Sequence, residues 1–164
     1  MRVMGVDPST VATGWGVVEG DFPRPKLVAT GVIRCRGSMS TRLATLHQRL
    51  MWLLEEYGPD CVSLEQGFAS NNMQAALRLG EARGVVLAAA GSLGIRVAEY
   101  APATIKLAVT GDGRASKQQM QTMVCRLLRI SGPLFEDAAD ALGTALCHMQ
   151  ASGFARAVDR QPRR

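Results

Sequence analysis

The sequence predicts an α/β domain whose first three strands form an antiparallel meander. Three features lead there. Three β-type apolar segments follow one another at the N-terminus with short connections between them. At Thr41 the apolar period changes to threes and fours. From that point short apolar runs alternate with helical stretches, giving the order β-β-β-α-β-α-β-α-α-α. A chain of 164 residues is ordinary for one domain and long enough to bury a core without staples.

Arg2–Val6 and Thr13–Glu19 read as the first two strands. Gly20-Asp21 and the prolines at 23 and 25 mark the turn to a third over Lys26–Arg34. Leu43, Leu46, Leu50, Leu53 and Leu54 then define one face of a helix over Thr41–Tyr57, with Ser40 or Ser38 as its cap and Gly58-Pro59 as its stop. Cys61–Glu65 is a short apolar strand. Asn72–Ala90 reads as a helix rich in glycine and alanine, suited to close packing on its own sheet or on a second copy of the chain. Ile95–Ala98 is a fifth strand, and Pro102–Val109 a short helix with Pro in its first turn. Thr110–Arg114 is a glycine-rich loop, Ser116–Ile130 a helix broken by Ser131-Gly-Pro133, and Phe135–Gln150 the last helix. Residues 1–152 are expected to form the folded domain and residues 153–164, with Arg156, Arg160, Arg163 and Arg164 against Asp159, a loose basic tail.

Composition narrows the function classes. Lys and Arg number 19 against 14 acids, a net charge of +5 that suits an anionic partner. No apolar run approaches a membrane span, and residues 1–6 reach Asp7 without the apolar stretch of a signal peptide, so a cytoplasmic protein with no membrane partner is expected. Cys35, Cys61, Cys125 and Cys147 form no CxxC and read as structural thiols. With only His47 and His148, histidine-built zinc and a Ser/His/Asp triad have few options.

Four carboxylates stand out. Asp7 directly follows the first apolar strand, and Glu65 ends the run Cys61–Leu64. Asp137 and Asp140, spaced i,i+3, share a face at the start of the last helix. Singly, each has an ordinary explanation as a turn former, a solvated strand end or a first-turn acid. Together, if the two strands are neighbours and the last helix crosses them, the four converge and repel unless divalent cations absorb the charge. An all-oxygen donor set suits Mg²⁺. Two such ions, ~3.5–4 Å apart, activate a water and stabilise a leaving 3′-oxygen, which is phosphodiester chemistry.

These residues resemble the RuvC-type Holliday-junction resolvases (crossover junction endodeoxyribonucleases), within the RNase H-like nucleases. The matching stretches are Gly5-Val-Asp-Pro-Ser-Thr10, Thr13-Gly-Trp-Gly-Val17, Leu64-Glu-Gln-Gly-Phe68 and Ala75-Ala-Leu-Arg-Leu-Gly-Glu-Ala-Arg-Gly84. Tyr100-Ala-Pro102, Ile105-Lys106, Ser116-Lys117 and Asp137-Ala-Ala-Asp-Ala-Leu142 follow in the family's order. The resemblance implies an RNase H-like fold, a five-stranded mixed sheet with helices on both faces. It implies a homodimer with the helix 72–90 near the interface, acting on four-way DNA junctions by paired symmetric nicks that leave 5′-phosphate and 3′-hydroxyl ends. It further implies two Mg²⁺ per active site, replaceable by Mn²⁺, on Asp7, Glu65, Asp137 and Asp140, and partnership with a branch-migration motor hexamer and a junction-binding tetramer. Phe68 falls on the family's junction-contacting aromatic, and Lys106 and Lys117 on its phosphate-side lysines, Lys117 with a catalytic role. Asn71, Asn72 and Arg114 join the expected DNA contacts. Ser9 stands where many relatives carry glycine, so that turn needs no positive φ.

Three other readings compete. A different RNase H-like nuclease would act on RNA–DNA hybrid or precursor RNA with similar acids. A non-catalytic nucleic-acid module would not keep four acids that weaken its own binding. An actin-like ATPase would need a second half that this length does not supply.

Overall fold

The computed structural model describes residues 1–67 and 72–159, with side chains to residue 153. Its elements are β1 (Arg2–Asp7), β2 (Ala12–Glu19), β3 (Lys26–Arg34), α1 (Met39–Tyr57), β4 (Cys61–Glu65), α2 (Met73–Ser92), β5 (Arg96–Tyr100), α3 (Pro102–Thr110), α4 (Lys117–Leu128) and α5 (Glu136–Asp159). The strands form one mixed sheet in the order β3-β2-β1-β4-β5. β1, β2 and β3 pair antiparallel, as the short connections predict, while β1–β4 and β4–β5 pair parallel across helical crossovers.

Strand alternation splits the sheet into two apolar faces. Met4, Val6, Val17, Val62 and Leu64 point to one side, where α1 brings Leu46, Leu50, Leu53 and Leu54 and α2 brings Ala82, Val86, Ala89 and Ala90. Val3 and Val18 point to the other, under Leu142, Ala145, Leu146 and Met149 of α5, with α3 and α4 completing the layer. The leucine spacing that predicted α1 is the spacing it buries. Ser38 rather than Ser40 caps that helix, and Gly58 ends it in the left-handed region at φ 49°.

α5 lies on β1 and β2 because their facing residues are glycines. A Cβ on Gly5 would fall inside the Ala141 carbonyl oxygen and 2.7 Å from Thr144 Oγ1. One on Gly14 would overlap the Asp137 carbonyl, and one on Gly16 the Leu142 side chain. Gly5 pairs with Gly16, so two bare strand positions lie side by side under the helix. Hydrogen bonds then fix its register. Ser63 Oγ donates to the Thr144 carbonyl at 2.8 Å, and Thr144 Oγ1 lies 3.0 Å from the Ser63 carbonyl. Tyr100 of β5 bonds His148 of α5 at 2.7 Å.

Most element ends fall within two residues of expectation, and three differences have an identifiable cause. The fifth strand is Arg96–Tyr100 rather than 95–98; Leu64 pairs with Glu99 and Glu65 with Tyr100. The charge at Glu99 obscured that extension, and it is answered by Arg83 from α2. α4 stops at Leu128, where Arg129 turns left-handed at φ 54° ahead of Ser131-Gly132-Pro133. α5 continues through residues 153–159, where a loose tail was expected. Ala155, Arg156 and Ala157 are strong helix formers, and one glycine at 153 does not stop a helix already nucleated upstream. Phe68 and Asn71, and Arg160, Arg163 and Arg164, lie outside the described residues. Among those described, no helix is long and apolar enough to cross a membrane, and the four cysteines are free thiols.

Gly14→Ala tests the close approach. Because the added methyl meets helix backbone rather than a flexible side-chain end, destabilisation of about 2–4 kcal/mol is expected, read as a fall in the urea midpoint at constant slope. An unchanged midpoint would mean that α5 does not sit on β2 as described.

Candidate active site

Parallel register brings the strand-end acids together. Val3, Gly5 and Asp7 share the α5 face of β1 by alternation, and Cys61, Ser63 and Glu65 share it on β4. Val3 is level with Cys61 and Gly5 with Ser63, so the same step carries Asp7 to Glu65 at the carboxyl ends of two adjacent parallel strands. Asp7 also pairs with Gly14, the position that accepts the Asp137 carbonyl. The glycine contact therefore delivers the first turn of α5, with Asp137 and Asp140, to Asp7.

The electrostatics record this convergence. Burial pushes the Asp7 carboxyl from its ordinary 3.8 up to about 7; Asp140, Asp137 and Glu65 add to the rise and Lys117 opposes it. Burial also raises Glu65, with Asp140 adding and Lys106, Arg83 and Lys117 pulling the other way. Asp140 is raised by burial in spite of its bond to Lys117. Lys117, the first residue of α4, stands 2.5 Å from Glu136 Oε1 and 3.2 Å from Asp140 Oδ2, and these bonds raise its own pKa. A cation in a helix's first turn opposes the dipole, and the acids of α5 are what compensate it here. Lys106, on α3, shares with Glu65, Lys117 and Asp140 a cleft of about 290 Å³ floored by Ile105 and Met120.

The remaining expected residues divide. Arg114 is exposed; Asp112 Oδ1 accepts its backbone N–H, and its side chain has no partner among the described residues. Asn72 caps α2, its side-chain oxygen accepting from the amides of Gln74 and Ala75 at 3.1 and 3.2 Å. The turn after Asp7 is closed by Ser9, whose Oγ accepts from the Val11 and Ala12 amides while Thr13 Oγ1 donates to the Ser9 carbonyl. As Ser9 suggested, that turn uses no positive φ.

Two residues take parts that the sequence did not reveal. Arg83 Nη1 donates to the backbone carbonyl of Glu65, and Nη2 bonds Glu99 Oε1 at 2.7 Å, so this α2 arginine pins the ends of β4 and β5. Gly67 leaves it room, since a Cβ there would stand 3.3 Å from Arg83 Nε. Glu136 is the second partner of Lys117. Its only signal was its place beside Asp137. Arg83 reads from the sequence as an interface-pairing or solvent-facing arginine, because its partners lie on two distant strands.

Three partly buried carboxylates, all raised by burial and by neighbouring acids in spite of Lys106, Arg83 and Lys117, form an all-oxygen donor set suited to hard divalent ions. Among the described residues no three such side chains stand close enough to hold an ion as they are placed. Lys117 occupies part of that role by holding Asp140.

The family model described as crossover junction endodeoxyribonuclease RuvC matches residues 3–148. The crossover junction endodeoxyribonuclease RuvC of Burkholderia vietnamiensis is 44% identical over 169 residues, covering 98% of this chain and 94% of the relative. That of Burkholderia ambifaria is 46% identical over 149 residues, covering 90% and 81%. Among solved structures, Thermus thermophilus RuvC in complex with a Holliday junction substrate matches with a TM-score of 0.90 at 30% identity, over 94% of this chain and 96% of that one.

The raised Asp7 sets a sign for stability. Its folded pKa exceeds its unfolded value, so the folded state binds the extra proton, and stability falls as pH rises from about 4 to 7. Asp7→Asn removes that loss. At pH 8 without divalent ions it should stabilise the protein by about 1–3 kcal/mol, with the gain vanishing near pH 4. Denaturation midpoints at the two pH values check this; an equal effect at both would show that Asp7 does not carry the strain.

Proposed function

The chain belongs to the crossover junction endodeoxyribonuclease RuvC family, and from that membership we propose that it resolves four-way (Holliday) DNA junctions by paired symmetric nicks. The observation that carries the reading is the meeting of Asp7 and Glu65, at neighbouring strand ends, with the acidic first turn of α5. Residues 1–152 form the nuclease domain in this reading, with the remaining residues as a basic extension.

Asp7, Glu65, Asp137 and Asp140 hold the divalent cations, which we take to be two Mg²⁺ with Mn²⁺ as a substitute. When bound, they would supply a water of lowered pKa and positive charge for the developing charge on the phosphate and the leaving 3′-oxygen. The chain's own groups prepare for this. Asp7 stands at the end of the central strand, paired on both sides, so its carboxylate would be presented to the ions from a fixed backbone. Arg83 fixes the Glu65 backbone, so that carboxylate arrives from a defined direction. Lys117 and Lys106 place ammonium charge in the same cleft as the acids, where scissile phosphate oxygens would lie. By the family resemblance, Phe68, three residues after Glu65 in the sequence, contacts the junction together with Asn71 and Asn72, and Arg114 adds a backbone contact. The products carry 5′-phosphate and 3′-hydroxyl ends.

Paired cuts need paired sites. Met73, Leu77, Gly80, Gly84 and Leu87 lie along the exposed side of α2. A Cβ on Gly80 or Gly84 would meet nothing within 4 Å of its own chain. This stripe faces away from the residues that α2 buries in its own core, and a second copy of the chain covers it. A branch-migration motor hexamer and a junction-binding tetramer complete the expected partners, in the cytoplasm.

Two measurements test this reading. In Mg²⁺, the chain should nick a four-way junction in preference to duplex DNA or RNA–DNA hybrid, while Asp7→Asn keeps junction binding and loses cleavage by at least about 10³-fold. Equal cutting of all three substrates, or cleavage that survives Asp7→Asn, would refute it. For the dimer, Gly84→Leu should shift the mass in solution towards the monomer; an unaltered dimer would place the interface elsewhere.

A further inference from the structure

The edge of the sheet farthest from β5 carries a surface that the catalytic centre does not use. Between β3 and α1 runs a groove of about 310 Å³ lined by Val32, Arg34, Thr45, Arg49 and Trp52, with Trp15 and Leu53 beneath. Thr45, Arg49 and Trp52 share one side of α1 by their spacing of four and three. The Trp52 ring is half exposed, an unusual cost for the largest apolar side chain. No carboxylate lines the groove. Arg2, Arg83 and Lys117 all pair with acids, whereas Arg34 and Arg49 have no acidic partner among the described residues. The floor is rigid, since Leu46, Leu50, Leu53 and Leu54 are buried on the same helix and Trp15 packs against Tyr57 with centroids 5.7 Å apart.

The groove connects to the catalytic end of the molecule. Arg34 closes β3 opposite Ala12, at the end of the sheet where Asp7 pairs with Gly14. Its guanidinium lies 5.7 Å from the centre of the exposed Phe135 ring. Phe135 directly precedes Glu136 and Asp137. One side chain therefore links the helix that carries two of the acids to a positive, aromatic-bearing groove.

We propose that this groove, through Arg34, Arg49 and Trp52, binds the phosphate backbone of a duplex arm of the DNA whose strand is cut beside Asp137. The proposal rests on the function given above. Uncompensated arginines attract phosphates without reading sequence, and the exposed Trp52 indole lining the same groove offers an apolar face to deoxyribose. An acidic protein partner would meet the same charges. The continuity with the catalytic turn favours the molecule that must already lie there.

The test uses the full chain with Ca²⁺ in place of Mg²⁺ for binding, and Mg²⁺ for cutting. A four-way junction should quench part of the tryptophan emission of the wild type, and that part should be missing in Trp52→Phe. Combined Arg34→Gln and Arg49→Gln should weaken junction binding about tenfold and reduce the slope of log affinity against log salt by about two. Single-turnover cutting by the saturated complex should stay within about twofold of wild type, because neither arginine touches the reacting atoms. Unchanged affinity and salt slope in a pair that still cuts, or quenching that persists in Trp52→Phe, would overturn the proposal. DNA that saturates the protein while Trp52 emission stays constant would also overturn it, and assign the groove to a protein ligand. If the wild type cut no junction but the arginine pair still lost affinity for duplex DNA, the catalytic reading would fall and the groove would stand.

Discussion

The architecture depends on a contact that bulkier residues would forbid. α5 rests against β1 and β2 at Gly5, Gly14 and Gly16, where a single methyl would strike helix backbone or a packed leucine. Without that closeness, Asp137 and Asp140 would ride above the sheet, out of reach of a carboxylate more than a hundred residues earlier. The reciprocal Ser63–Thr144 bonds and the Tyr100–His148 bond then prevent the helix from sliding along the surface to which the glycines admit it. Close approach sets the depth and hydrogen bonding sets the register.

That geometry carries an electrostatic cost. Asp7, Glu65 and Asp140 are all raised by burial; Asp140 adds to the rise at Asp7 and Glu65, and Asp137 to that at Asp7 and Asp140. A fold selected for stability alone would not collect them. Lys117 offsets part of the repulsion by bridging Glu136 and Asp140, and Arg83 holds the backbone beneath Glu65 while satisfying Glu99. The proposed cations would take over the compensation and turn it towards a phosphate. Arg83 also projects from the helix whose outer side we assign to the dimer, so the arrangement of Glu65 and the pairing of two copies share one element.

Much of this was legible in the sequence. The leucines of α1 announced its buried side, Ser38 was one of the two caps the sequence offered that helix, and the acids at positions 7, 65, 137 and 140 showed by placement alone that they ended strands or opened a helix. What stayed hidden depended on pairing across space. Glu99 read as a strand terminator because its partner, Arg83, comes from a helix packed on the sheet. The part played by Gly14 and Gly16 depends on the helix that lies on them, more than a hundred residues later in the chain. Asn72, counted among the DNA contacts, is engaged at least in part with its own helix. The continuation of α5 to Asp159 was missed because its charge pattern suggested a solvated end, a judgement about partners rather than about backbone preference.

The most direct test of the central claim is the anomalous diffraction of Mn²⁺ in crystals of the protein with junction DNA. A peak should touch Asp7 together with a carboxylate of α5, which no ion could reach unless the helix lay on the glycines. Manganese bound by the α5 acids without Asp7, or no ordered ion beside the cut strand, would contradict it.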